Sequence, residues 1–158
     1  MNNNADIERV IFLKRVLEKE LIHLKYSQSQ VFAEKFTTDR AKTLIYDPVL
    51  AEKIEAFTSR FCRVQDTLGD KLIPVWLKLL GEPVAAVVDN LDKSEKLGVI
   101  PSADEWLEVR QLRNQMVHEY IEDMEILSQA LQTANQKVEL FTDVSERLFS
   151  DINKRAWF

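Results

Sequence analysis

The stretch Glu108 to Tyr120, EVRQLRNQMVHEY, holds the side chains best suited to chemistry. Arg113 offers a planar fork of donors that matches phosphate oxygens, and His118 is of the residue type that gives or takes a proton near neutral pH. Such a pair can cleave RNA without a metal. The 2′-hydroxyl of the substrate attacks its own phosphate, the histidine acts as general acid or base, and the arginine stabilises the developing charge. Within one continuous helix, Arg113 and Tyr120 stand within roughly 20° of each other and His118 about 140° from the arginine. Two arrangements can still bring arginine and histidine together: a distorted or broken helix between them, or a symmetric dimer whose two copies face each other across a cleft. On spacing alone the ordinary reading of each residue is structural. A histidine near a helix end usually serves the fold, and an arginine on a helix flank usually pairs with a carboxylate.

The elements that must position these residues follow from composition. Apolar residues make up 46% of the 158 and charged residues 30%, with three Gly and four Pro, which suits long helices and neither disorder nor a turn-rich β fold. The expectation is all-α, a single domain over residues 1–158, folded as an up-and-down bundle of four to five helices. A formal net charge of −5 gives no global attraction to a polyanion, so contact with nucleic acid needs a local basic patch. Glu108, Glu119, Glu122, Asp123 and Glu125 surround the motif, so that patch must come from other segments. Cys62 is alone, without a disulfide partner or zinc-ligand spacing, and no cofactor or metal is implied. No apolar run approaches a membrane span, and MNNNADIERV has no apolar core flanked by basic residues, so the expectation is a cytoplasmic protein with no membrane partner.

In chain order, Val10, Leu13, Leu17, Leu21 and Leu24 recur at three and four, the stripe of a first helix beginning near Asp6. Tyr26 to Phe32 reads as a frayed extension and 36–46 as a loop. His23 lies in this first helix and is given no role. Asp47 before Pro48 marks a helix start, and Leu50, Ile54, Phe57, Phe61, Val64 and Leu68 form its stripe. Arg60 and Arg63, three apart, share a face with Asp66 and read as its ion-pair partners in preference to a phosphate contact, the other use of such a pair. Gly69 and Pro74 predict a kink or restart near Asp70, with a short apolar segment through Trp76, Leu79 and Leu80 ending at Gly81. Pro83 opens another short helix through Val84, Val87, Val88 and Leu91, closed by Gly98. Ser102 with Glu105 reads as a capping box that starts the helix carrying the motif. On that helix Val109, Leu112 and Met116 form the apolar stripe, and Arg113 lies on its flank, where a guanidinium needs a partner. From Met124 to Ile152 a three-four spacing gives the longest helix, and Trp157-Phe158 is an apolar tail.

Arg113-Asn114, His118 and Tyr120, with the approach LGVIPSADEWLEVR and its glycine turn, acidic residue, Trp106 and Leu107, resemble the HepT branch of the HEPN proteins. The order of helices from about Asp47 through Tyr120 is also similar. The resemblance implies a homodimer whose cleft is a metal-independent endoribonuclease site, with Arg113 and His118 as its catalytic pair and Asn114 as the supporting polar residue. It further implies a toxin of a toxin-antitoxin system acting on RNA, transfer RNA among the candidates, with an MntA-like nucleotidyltransferase as antitoxin partner. In that branch the tyrosine of the motif, here Tyr120, receives adenylate and the toxin is silenced; a bulky anion there would block the cleft and repel phosphate. Relatives described as substrate-binding companions of a nucleotidyltransferase imply the other reading, a non-catalytic adaptor that uses the same cleft.

Overall fold

The apolar stripes at the two ends of the chain each need an apolar partner along their whole length, and the fold supplies it by laying long helices side by side. A computed structural model describes residues 3–118, 123–155 and 157. Among them every regular element is helical: α1 (Asn3–Val31), α2 (Thr38–Lys42), α3 (Pro48–Gln65), α4 (Ile73–Leu79), α5 (Val87–Lys96), α6 (Ala103–His118) and α7 (Met124–Lys154). A 3-10 turn, Leu44–Tyr46, precedes α3. A π turn, Asp66–Leu72, joins α3 to α4 without a break, so 48–79 form one rod.

Cross-helix bonds give the directions. Thr67 meets Glu20 while Lys78 meets Asp6, so α1 runs antiparallel to the rod. Asp66 meets Arg113 while Asp70 meets Arg110, so α6 does too. Phe61 packs on Phe141 and Trp76 bonds Asp151, so α7 runs parallel to it. Four rods alternating up and down thus enclose one connected core, in which Trp76, Trp106, Phe57, Phe61 and Phe141 are essentially buried. No helix among the described residues is long and apolar enough to cross a membrane.

The expected stripes of α1, α3 and α7 are buried as read, save that Met124 at the start of α7 is only partly buried. Other expectations need correction. Residues 26–32 are not frayed: Ser27 and Val31 are buried, and Gln28 Nε2 donates to Asn135 Oδ1 at 2.8 Å. The expected loop at 36–46 contains α2 and the 3-10 turn. Thr37 caps α2 by accepting from the Arg40 amide, and Ala41 is fully buried where α2 meets α7. Pro83 does not open α5, which starts four residues later; Val84 is 90% exposed and belongs to the extended approach. The capping box is half formed. Ser102 Oγ accepts from the Glu105 amide at 3.1 Å, but the Glu105 carboxylate lies 3.5 Å from Lys137 instead. Trp157 packs on the core, and Phe158 lies outside the described residues.

The kink expected near Asp70 is the π turn, in which the Ile73 amide donates to the Leu68 carbonyl five residues back. Pro74 brings no amide for the bond that a regular helix would make to residue 70. Gly69 sits where a side chain cannot: a Cβ built there lies 2.7 Å from both Gln65 Oε1 and Trp106 Nε1.

Candidate functional site

α6 presents Val109, Leu112 and Met116 to the core, and Arg113, one residue past Leu112, emerges on the flank of that stripe facing the rod. There it finds a carboxylate. Arg113 Nε donates to Asp66 Oδ1 at 3.2 Å and Nη2 to Asp66 Oδ2 at 2.9 Å, a two-point pair on the side edge of the guanidinium. The pair holds Arg113 still more firmly protonated, chiefly through the hydrogen bonds to Asp66 and against partial burial. A second rung lies one turn away, where Arg110 Nε stands 3.4 Å from Asp70 Oδ1.

Asp66 is itself held from behind. Gln65 Nε2 donates to Asp66 Oδ1 at 2.9 Å, and Gln65 Oε1 accepts from the buried Trp106 indole at 3.1 Å. The relay Trp106, Gln65, Asp66, Arg113 therefore runs from the core to the cleft through one hydrogen bond at each of its first two steps and two at the last, and Gly69 leaves the room for its inner half. It orients Arg113 through its side edge, and Nη1 makes no bond with any described residue. Gln65, Asp66, Asp70, Arg110, Arg113 and Asn114 line an open cleft of about 230 Å³. Two guanidiniums face two carboxylates there, so the cleft has no net positive charge of its own.

Cys62 lies under this arrangement, its thiol 3.9 Å from the Arg113 carbonyl, and burial pushes it up to about 11 even though the nearby guanidinium pulls it down. It is a neutral, inert thiol at physiological pH. Among the described residues no three His, Cys, Asp or Glu side chains are grouped to hold a metal ion.

The sequence-derived residues fare unequally. Arg113 and Asn114 share the cleft. His118 is the last residue of α6, and its side chain lies outside what the structure describes, as does Tyr120 altogether. α6 runs unbroken through His118, so the arrangement in which a break between Arg113 and His118 brings them together is not the one adopted. The pairing of Arg60 and Arg63 with Asp66 is also incorrect, because both carboxylate oxygens of Asp66 are given to Arg113 across the helix interface. Asp66, Asp70, Gln65 and Arg110 were missed as site residues. Their signal was two acidic residues four apart ahead of a Pro, matching two arginines three apart on a later helix. Comparison with protein-family models, with curated proteins and with solved structures returned no match to this chain.

Proposed function

We propose that this chain is a HEPN-type ribonuclease of the HepT branch, a homodimer in which Arg113 and His118 cleave RNA at the dimer cleft without a metal and Asn114 supports the arginine. In this reading it is the toxin of a toxin-antitoxin system, silenced when an MntA-like nucleotidyltransferase adenylylates Tyr120. The observation that carries the reading is the state of Arg113: it stands on the rim of an open cleft, oriented by Asp66 on one edge and unbonded at Nη1 among the described residues. An arginine held on one edge with the other open can receive a phosphate. The unbroken α6 supports the dimer, since a regular helix turns His118 about 140° away from Arg113 and a two-fold axis lets one copy supply what the other directs elsewhere.

One observation favours the second reading, a non-catalytic companion of a nucleotidyltransferase. Asp66 and Asp70 balance Arg110 and Arg113, which suits a cleft that docks a mixed-charge protein surface. Cleavage of transfer RNA and total RNA in EDTA, by wild type beside His118→Ala and Arg113→Gln, separates the two. The ribonuclease reading expects cleavage by the wild type alone, leaving 2′,3′-cyclic phosphate ends. Absence of cleavage by an unmodified, folded dimer rejects it in favour of the companion, and equal cleavage by His118→Ala rejects His118 as the catalytic residue.

A further inference from the structure

α3 carries two more arginines that the Arg113 cleft leaves unused. Arg60 and Arg63 stand one turn apart and, with Glu20 and His23 of α1, line a second cleft of about 270 Å³. Arg60 is pinned by neutral acceptors: its Nη1 donates to Ser27 Oγ at 2.6 Å and to the His23 carbonyl at 3.3 Å. Because Asp66 and Asp70 are committed to Arg113 and Arg110, Arg63 has no bonded carboxylate among the described residues. Glu20, the carboxylate in the wall of the cleft, turns both oxygens to Thr67 Oγ1, at 2.8 and 3.1 Å. Burial pushes its carboxyl up, against the Thr67 bond and the pull of Lys71 and Arg63. Two guanidiniums one turn apart repel each other along a helix, and the single Glu20 carboxylate offsets only part of their charge, so a local excess of positive charge remains among the described residues of the cleft.

We propose that the Arg60–Arg63 cleft is a phosphate subsite that seats the backbone of the RNA strand presented to Arg113; the inference rests on the ribonuclease reading above. Arg63 and Asp66 are separated by roughly 4.5 Å along the helix and 60° around it, so the two clefts open off neighbouring turns and one strand can lie across both. Arg60, fixed by Ser27 and His23, and the free fork of Arg63 take the phosphate oxygens, and His23 lies beside them. The subsite supplies the positive charge that the neutral Arg113 cleft lacks. Glu20 opposes the ligand and limits its affinity.

The test is fluorescence anisotropy of a labelled single-stranded oligoribonucleotide made non-cleavable by 2′-O-methylation, titrated with the full chain at several salt concentrations. Arg63 makes no bond that folding depends on among the described residues, so Arg63→Gln is the primary variant, with Arg60→Gln/Arg63→Gln beside it. The double variant is expected to lower the salt slope by about 1.4, the value for two lost single-strand phosphate contacts, and Arg63→Gln by about half of that. Glu20→Gln is expected to act in the opposite direction and tighten binding about twofold. Wild-type affinity and slope in both Arg63→Gln and Glu20→Gln overturn the proposal. Inorganic phosphate, followed by the arginine Nε–H signals in NMR, covers the other source of the same chemistry: shifts of Arg60 and Arg63 combined with RNA binding indifferent to their loss overturn the RNA assignment. Failure of the underlying reading looks different. In that case ordinary RNA is not cleaved while binding through Arg63 persists, whereas failure of the subsite leaves cleavage and binding alike indifferent to Arg63→Gln.

Discussion

Replacing Asp66 by asparagine tests whether the relay holds Arg113. The oxygen of the introduced amide can still accept from both Gln65 and Arg113 Nε, but its nitrogen then faces the Arg113 Nη2 donor, so one bond and the charge are lost together. Hydrogen bonds to charged groups contribute about 1.5–3 kcal/mol when sheltered. Here the two side chains are 30% and 34% exposed, so solvent screening reduces the pair to about 1 kcal/mol, and the orphaned donor brings the expected loss to about 1.5 kcal/mol. For a chain of this length that lowers Tm by about 3–6 °C. The assay is a double-mutant cycle in urea unfolding: wild type, Asp66→Asn, Arg113→Gln and the double variant. A coupling energy near 1 kcal/mol is expected, because the second substitution removes a partner already lost. Additive single effects, with coupling under about 0.3 kcal/mol, refute the reasoning that the pair matters to either residue. If Arg113 acts on phosphate, Asp66→Asn also lowers kcat/KM about tenfold, equivalent to about 1.4 kcal/mol of transition-state stabilisation, although it touches no substrate.

Further outcomes follow from the same contacts. Gly69→Ala places a methyl group 2.7 Å from Gln65 Oε1 and Trp106 Nε1 and is expected to cost about 1–3 kcal/mol in urea unfolding; a neutral result would mean that the Trp106–Gln65 bond is not kept in solution. Cys62, with its thiol pushed up to about 11, is expected to react with a disulfide reagent at pH 8 about two orders of magnitude more slowly than a free thiol, and normally once unfolded; fast labelling of the native protein contradicts this. Burial pushes the Asp151 carboxyl up, but hydrogen bonds from Arg155 and Trp76 outweigh it and hold the group below its ordinary 3.8. A depressed carboxyl stabilises the fold above its unfolded value and loses that contribution as pH falls through the folded one. The stability gap between wild type and Asp151→Asn should therefore be full at pH 6 and shrink below about pH 4, as followed by thermal unfolding across pH; a gap independent of pH would place the effect in packing alone.

The long helices were legible because each repeats its apolar period several times: α1, α3 and α7 bury the stripes that spacing predicts. α2 was not, since five residues cannot display a period and its evidence is tertiary, a capped first turn and Ala41 against α7. Pro83 misled because proline suits an extended approach as well as a first helical turn, and only the packing of Leu91 and Val87 decides where α5 begins. The capping box was half right for a similar reason: Lys137, from a distant helix, competes for Glu105. At the site, the need of Arg113 for a carboxylate was readable from its place on the helix flank, but which carboxylate was not. Local spacing offered Asp66 to Arg60 and Arg63, and the interface between α3 and α6 gave it to Arg113.

The π turn also sets the phase of the rod. At its first residue, Asp66 is aimed at α6; downstream, Trp76 is aimed at Asp151 on α7, 2.7 Å from its indole nitrogen. Removing one residue between Asp66 and Leu72 would turn the downstream half by about 100° and draw it back about 1.5 Å, so either the cleft or the Trp76 anchor would be lost. The turn is thus a phase adjuster between two rigid halves. Each half can keep its own partner only while the extra residue stays in place, which makes this short segment intolerant of length change, although it lies far from either end.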